Sequence, residues 1–314
     1  MSIALAPGRV VAAHGRHCVV ETPDGTRLIC HPRGKKSQVV VGDQVMWLAA
    51  KAGQGDEGTV EKVLERRNLF YRQDELRTKS FAANLDQVLI LIAAEPEFSE
   101  SQLTRALITA EATGITPLIA LNKQDVQPQF DRAWQRLAPY REMGYTVLPL
   151  ALKPKGDGKA SSEVLDQHLH GKHTLVLGPS GAGKSTLINR YVPSAQALTN
   201  EISLALNSGK HTTTSTSWYW VDPHGHAPRT ALIDSPGFQE FGLHHIDPAQ
   251  LAAYMPDLRP HVANCRFYNC THLHEPGCGV ISQVKTAITA GQISESRYRI
   301  YSELFAELSQ EQRY

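Results

Sequence analysis

The stretch Thr174-Leu175-Val176-Leu177-Gly178-Pro179-Ser180-Gly181-Ala182-Gly183-Lys184-Ser185-Thr186 decides the fold. An apolar run of strand length enters a loop with the spacing G-x-x-x-x-G-K-[ST], and Thr186–Tyr191 can continue it as a helix. Strand, glycine loop and helix in that order make a phosphate cradle. Glycines let the backbone wrap phosphate oxygens with its N–H groups turned inward, and the helix N-terminus adds partial positive charge. Lys184 is placed to reach the β- and γ-phosphates and Ser185 to ligate Mg²⁺. The loop alone does not separate ATP from GTP. It would suit an ATP-binding-cassette ATPase equally well, but the chain carries no LSGGQ-like signature.

Upstream, Asn122-Lys123-Gln124-Asp125 follows the apolar strand Pro117–Leu121. An N-K-x-D at a strand end selects guanine. The Asp carboxylate accepts from the base's N1–H and exocyclic amine, and a site built on such bonds rejects a base that leaves them unpaired. Lys123 would pack its stem over the base. Downstream, Asp234-Ser235-Pro236-Gly237 follows the strand Ala231–Ile233 and fits D-x-x-G. Asp234 is expected to hold Mg²⁺ through water, and the Gly237 N–H to sense the γ-phosphate. Between them, Gly209-Lys210-His211-Thr212-Thr213-Thr214 offers one threonine to close on Mg²⁺; read without that role, it is an ordinary flexible loop. After D-x-x-G, many GTPases place a Gln that orients water; this chain has Phe238. Hydrolysis by the protein alone is therefore expected to be slow, with His211 the candidate for positioning water.

The order of these motifs is itself informative. In Ras-like GTPases the phosphate loop comes first and N-K-x-D later. Here residue 122 precedes 178, which precedes 234, so all the parts are present and the chain is cut elsewhere. This predicts a circularly permuted GTPase, a cut that suits compact domains whose termini lie close together at the surface. Strands at Val88–Ala93, Pro117–Leu121, Thr146–Leu150, Thr174–Leu177 and Ala231–Ile233 alternate with helices at Ser101–Thr113 and Phe130–Met143. Such alternation predicts a mainly parallel sheet covered on both faces. Residues 152–162 read as a surface linker, and 194–217 as a polar, mobile stretch.

Ahead of this unit, Val10–Ala13, Cys18–Glu21, Arg27–Cys30, Gln44–Leu48 and Thr59–Leu64 are short apolar-rich segments separated by turn residues, which predicts a small five-stranded barrel of the OB type. Residues 1–80 hold 13 Lys and Arg against 9 Asp and Glu, a net of +4 in a chain whose total is +1. That suits contact with a phosphate backbone, though a solvated surface explains it equally. Behind the GTPase unit, Cys265-x4-Cys270-x-His272-x5-Cys278 brings three thiolates and an imidazole within 14 residues. Soft sulfur with nitrogen in a set of four favours a closed, structural Zn²⁺ site. His274 competes for the ligand position, and His261 is a more distant candidate. Cys18 and Cys30 read as core residues. A helix at Ser294–Leu308 would place Tyr301, Leu304, Phe305 and Leu308 on one face.

The 314 residues are 41% hydrophobic and 20% charged, ordinary for a chain that buries a core. This is a multi-domain α/β reading: residues 1–75 a barrel, 76–250 the permuted GTPase, 251–314 a mostly helical zinc-binding unit. No apolar run approaches the roughly 18 residues that span a bilayer. Met1–Val11 lacks the pattern of a signal peptide, so a cytoplasmic protein without membrane contact is expected.

Taken together, the barrel, the permuted motifs NKQD, GPSGAGKST, GKHTTT and DSPGF, and the Cys/His cluster resemble the circularly permuted ribosome small-subunit-dependent GTPase A family over nearly the whole chain. The resemblance implies an OB-fold that contacts RNA, a GTPase that binds the small ribosomal subunit and its 16S rRNA late in assembly, and hydrolysis stimulated by that contact. That family also carries a hydrophobic residue where Phe238 stands, and His211 falls in its G-x-H-T-T-T element. Two features depart from it. Leu150-Ala151 stands where the family often has Ser-Ala or Ser-Ser, and no long basic extension precedes the barrel. The chain is expected to be a monomer using GTP and Mg²⁺. Three other functions remain open to the sequence: a nucleotide-gated RNA-binding protein with incidental hydrolysis, a permuted GTPase of large-subunit assembly, and an ATPase.

Overall fold

The computed structural model describes residues 5–310 except 15–16, 35–38, 51–56, 76, 154–162, 197, 199–215, 223–227, 237–240 and 286–290. Five strands come first: β1 (Ala6–His14), β2 (His17–Glu21), β3 (Arg27–Pro32), β4 (Gln44–Leu48) and β5 (Gly58–Val63). They pair in the order β1-β2-β3-β5-β4 and back to β1, with β3–β5 parallel and every other pair antiparallel. This closed five-stranded barrel is the one expected. Its core is Val10, Val20, Val45, Trp47 and Val60 together with Cys18 and Cys30, which lie opposite each other in register.

Strand β1 has a second role. Its register shifts between Val10 and Ala12, and past that irregularity Ala12 pairs with Ser217 of another sheet. That sheet runs β10 (Thr146–Pro149), β9 (Thr116–Asn122), β8 (Gln87–Ala93), β11 (His173–Leu177), β13 (Ala231–Asp234) and β12 (Ser217–Trp220). All its pairs are parallel except β12 with β13. All seven residues of β8 are buried, as a central parallel strand covered on both faces requires. Its side chains alternate between two cores. Val88, Ile90 and Ile92 join one that includes Leu103 and Leu107 of α1 (Glu100–Thr113) and Phe130 of α2 (Gln129–Arg136). Leu89 and Leu91 join the other, with Leu165 of α4 (Glu163–Leu169) and Leu187 of α5 (Lys184–Tyr191).

Helix α1 starts at the Ser99 hydroxyl, which accepts from the Gln102 N–H (3.3 Å), and stops at Gly114 with φ 65°. The single helix expected over Phe130–Met143 is broken. After α2, Leu137 takes ψ 0°, and α3 (Ala138–Glu142) starts afresh with Pro139 in its first turn. Proline has no N–H to donate back into a preceding turn. Several elements had no sequence expectation, α4 among them. β6 (Leu69–Gln73) and β7 (Thr78–Ala83) form a separate hairpin. β12 starts at the last residue of the stretch read as mobile, and the rest of it runs through Trp220.

The junction of barrel and sheet is aromatic and cationic. Arg9 lies 4.6 Å from the Trp218 ring centre and 5.2 Å from that of Trp220, and Arg229 lies 3.7 Å from Trp220. Trp220 Nε1 donates to Glu21 Oε1 at 2.6 Å. In the same core as Trp218 and Trp220, the last helix (Glu295–Leu308) docks on α1. Arg297, 2% exposed, donates to both carboxylate oxygens of Asp257 (2.8 and 3.0 Å) and to the Thr104 hydroxyl (2.6 Å). Arg105 of α1 donates to Glu307 and to the Phe241 carbonyl. Among the described residues no helix is long and apolar enough to cross a membrane.

A buried, fully bonded ion pair is costly to break on one side because the other charge is left desolvated. Replacing Arg297 with Ala is expected to cost about 3–5 kcal/mol in urea unfolding. The double replacement Arg297→Met with Asp257→Leu should recover most of that loss.

Candidate functional site

Parallel strands deliver their carboxyl ends to one edge, and ligands of α/β sheets bind there. Asn122 ends β9, Gly178 follows β11 and Asp234 ends β13, so the three motifs, scattered in sequence, meet at one edge. Asp234 is the register partner of Val176, two residues before the loop.

The loop is shaped by close approaches. A Cβ on Gly178 would stand 2.1 Å from the Leu91 carbonyl oxygen of the neighbouring strand. Gly183 has φ 108°, and a Cβ there would stand 2.5 Å from Asn122 Nδ2. Pro179, Ser180 and Gly181 span the open part of the loop, and Ala182 is buried beneath it. Lys184 Nζ donates to the carbonyls of Gly178 (2.7 Å) and Pro179 (3.0 Å), which holds the ammonium over the loop. Ser185 lies exposed at the start of α5 with Thr186 behind it.

Asn122 is 4% exposed, and its amide braces the loop. Nδ2 donates to the Ala182 carbonyl (2.9 Å) and Oδ1 accepts from the Leu152 N–H (3.1 Å). Lys123 has φ 68° and its ammonium donates to the Glu95 carbonyl. The Gln124 N–H donates to the Leu150 carbonyl at 2.9 Å, and Asp125 follows, exposed. Around Leu150-Ala151, this backbone bond and the Leu152 N–H support the loop, and neither needs a side-chain hydroxyl.

Burial pushes the Asp234 carboxyl up to about 6, against the pull of the nearby Lys184 ammonium, and burial lowers Lys184 in turn. A carboxyl held this way gains from a cation brought beside it. The residues present fit a phosphate group with its divalent ion: a glycine-shaped loop, a fixed ammonium, a hydroxyl and a desolvated carboxylate. His211, Thr212, Thr213, Thr214, Gly237 and Phe238 lie outside the described residues.

The comparisons with known proteins agree with this edge. The family described as RsgA GTPase matches residues 63–244. This chain belongs to the RsgA GTPase family. It is 69% identical over 306 residues to the small ribosomal subunit biogenesis GTPase RsgA of Variovorax paradoxus (strain S110), covering 98% of this chain and 93% of that one. The protein of the same name from Paraburkholderia xenovorans (strain LB400) is 50% identical, over 97% of this chain and 94% of its own. Two solved structures superpose along nearly the whole length. YjeQ from Thermotoga maritima does so with TM-score 0.70 and 27% identity, covering 98% of this chain and all of its own. YloQ, described as a circularly permuted GTPase, does so with TM-score 0.67 and 26% identity, covering 99% and 98%. The permuted order read from the motifs is therefore the order of an RsgA GTPase.

The second site is a possible metal centre. The ligand atoms of Cys265, Cys270, His272 and Cys278 all lie within 4.8 Å of one another. Cys265 Sγ is 3.8 Å from Cys278 Sγ, and His272 Nδ1 is 3.4 and 3.5 Å from these two sulfurs. A tetrahedron with metal–sulfur bonds near 2.3 Å has edges of about 3.8 Å, so this set fits a zinc-sized ion. The cluster uses His272, which is buried with φ 59°, and leaves His274 exposed outside it. Nor does the His261 ring join; its carbonyl lies 4.0 Å from Cys265 Sγ. Spacing alone did not show how the turn is held. Glu275 accepts from the N–H groups of Thr271 (2.7 Å), Leu273 (3.2 Å) and His274 (3.3 Å). Tyr298 donates to the His272 carbonyl and Tyr301 to that of Thr271, both at 2.8 Å.

Two outcomes follow from these geometries. The raised Asp234 favours its protonated form in the fold, so the stability it contributes is full below its ordinary value of 3.8 and gone once pH passes about 6. Asp234→Asn should therefore flatten the fall in thermal midpoint between those two pH values, read against the parent protein without nucleotide. Metal analysis of the purified protein is expected to find about one ion per chain. Cys278→Ser should lose it and His274→Ala should keep it.

Proposed function

We propose that the chain is a GTP hydrolase that binds the small (30S) ribosomal subunit during late maturation and is stimulated by that contact. The observation that carries this reading is the meeting of the three guanine-nucleotide motifs at one sheet edge, in permuted order. Relatives at 69% and 50% identity, named small ribosomal subunit biogenesis GTPases, support the choice of partner.

In this reading Asp125 pairs with guanine, Lys123 packs its stem over the base, and Asn122 and Gln124 hold that loop in place. The backbone from Gly178 to Gly183 wraps the phosphates, Lys184 reaches their β- and γ-oxygens, and Thr186 extends the cradle into α5. Ser185 and Asp234 hold Mg²⁺, which when bound neutralises charge on the phosphate oxygens. One of Thr212, Thr213 and Thr214 closes on the same ion, and the Gly237 N–H reports the γ-phosphate. Phe238 cannot orient water, so His211 takes that task when the subunit is bound. The metal centre holds a structural Zn²⁺.

The working units are residues 1–75, 76–250 and 251–314, in a cytoplasmic monomer that contacts 16S rRNA. GTP favours the subunit-bound state and hydrolysis to GDP releases it, because each nucleotide interacts differently with the two states.

The test measures GTP and ATP turnover by the purified protein alone, with small subunits and with large subunits. Strong stimulation of GTP turnover by small subunits alone is expected, with His211→Ala losing stimulation while GTP still binds. Tight GTP binding with no stimulation would overturn the reading.

A further inference from the structure

Between β8 and α1 the chain crosses the motif-bearing edge as a short turn, Ala94-Glu95-Pro96-Glu97-Phe98. Ala94 and Phe98 are buried and the three residues between them are exposed, so burial of apolar surface does not fix the middle of the turn. Both halves of the site nevertheless touch it. The Ala94 N–H donates to the Asn122 carbonyl at 3.1 Å, and the Lys123 ammonium donates to the Glu95 carbonyl. On the other side, a Cβ placed on Gly181 would stand 3.4 Å from Pro96 Cδ. The turn therefore lies against the N-K-x-D loop and against the tip of the glycine loop.

One side chain holds this turn from behind. Arg136, the last residue of α2, donates from Nε to Glu100 Oε1 (3.0 Å), from Nη1 to Glu97 Oε1 (2.5 Å) and from Nη2 to the Phe98 carbonyl (3.3 Å). Its guanidinium carbon lies 4.5 Å from the Phe98 ring centre. Donors fixed in one plane thus meet three acceptors within four residues, a match that the single ammonium of a lysine cannot make. The Glu97 side chain is 77% exposed, and ion pairs open to water in this way add little to global stability. What the arrangement supplies is shape, in a turn that has no packing of its own.

That shape reaches the base-binding side chain. Lys123 has φ 68°, so the backbone reverses direction where its stem begins. The stem is held at its root by the end of β9 and at its tip by the Glu95 carbonyl. A stem fixed at both ends loses little rotamer freedom when a base lies along it. Were the turn to move, the tip would be released and that freedom would have to be given up on binding.

We propose that Arg136 is a positioning residue of the nucleotide site: it fixes the 95–98 turn, the turn fixes the Glu95 carbonyl, and that carbonyl holds the Lys123 stem against the base. The inference rests on the reading that the N-K-x-D loop binds guanine, and it separates two tasks. Asp125 chooses the base, whereas Arg136, acting through Lys123, sets how tightly any base of that shape is held.

The test uses the full-length protein and reads dissociation constants for GTP and for ITP, which lacks the exocyclic amine of guanine. Arg136→Ala should weaken GTP binding about tenfold, the order of one hydrogen bond to a charged group. ITP should weaken by the same factor, because the preference between the two belongs to Asp125. In a Lys123→Ala background Arg136→Ala should cause no further loss. Arg136→Lys should behave like Arg136→Ala, and the thermal midpoint without nucleotide should stay close to the parent's in both. Glu97→Ala, which removes one exposed acceptor, should show a smaller loss with the same dependence on Lys123, and serves if the arginine variants fold poorly. A parent protein that binds GTP no better than ITP would sink the guanine reading itself. With that preference intact, three results would each overturn the role of Arg136 alone. These are an unchanged GTP constant, losses that multiply in the double variant, and a GTP-to-ITP ratio that collapses along with affinity.

Discussion

The buried amide of Asn122 fixes the distance between two halves of a binding site that the chain builds far apart. The N-K-x-D loop ends β9, and the glycine loop follows β11 two strands away. With one hydrogen bond to Ala182 and another from Leu152, the side chain ties both to the segment behind them. Gly183 is obligatory at the same spot because any side chain would occupy the place of that amide. The N-K-x-D motif thus does structural work at its first residue, and in the proposed reading base selection falls to its last. Cutting the chain elsewhere leaves this tie intact, since it depends on the sheet edge and not on the order of synthesis.

The two units flanking the GTPase sheet are attached beside its two motif-bearing loops. β12 begins two residues after 215, pairs with β1 of the barrel, and carries the Trp218 and Trp220 rings against Arg9. On the other side of the Asp234 motif, Phe241 is buried between Phe70 and Phe81 of the hairpin, with ring centres 5.9 and 6.0 Å away, and its carbonyl accepts from Arg105. A change in either loop is therefore passed to packed, aromatic contacts that resist gradual deformation. In the proposed reading, these contacts would carry nucleotide state to the outer units.

Much of this was legible in the sequence. The five barrel segments, the strand preceding each motif and the four clustered ligands stand out because each is local: a run of apolar residues, a glycine spacing or a cysteine interval. What escaped reading is non-local. Nothing in Ser217-Trp218-Tyr219-Trp220 announces that it will be an antiparallel edge lying against the barrel. Arg297 reads as a surface residue of an amphipathic helix until Asp257 and Thr104 enclose it. The break at Leu137 needed weight on Pro139 against an otherwise helical pattern. His272 and His274 are equivalent by spacing, and only the left-handed turn at 272, clasped by Glu275, separates them.

The strand order has a consequence for how the chain is made. Synthesis delivers β8 first, and β8 is the middle of its sheet. β9 and β10 then add outward on one flank, and β11 begins the other. Only β13 enters between strands already emerged, taking its place between β11 and β12. The barrel completes its strand pairings by residue 63, with Arg66 following to pair with the buried Asp43. Its tie to the sheet waits for Ser217 to reach Ala12 across some two hundred residues. Permutation thus turns an architecture that usually begins at its phosphate loop into one that grows from a buried centre, with the phosphate loop arriving after the base-reading loop is in place.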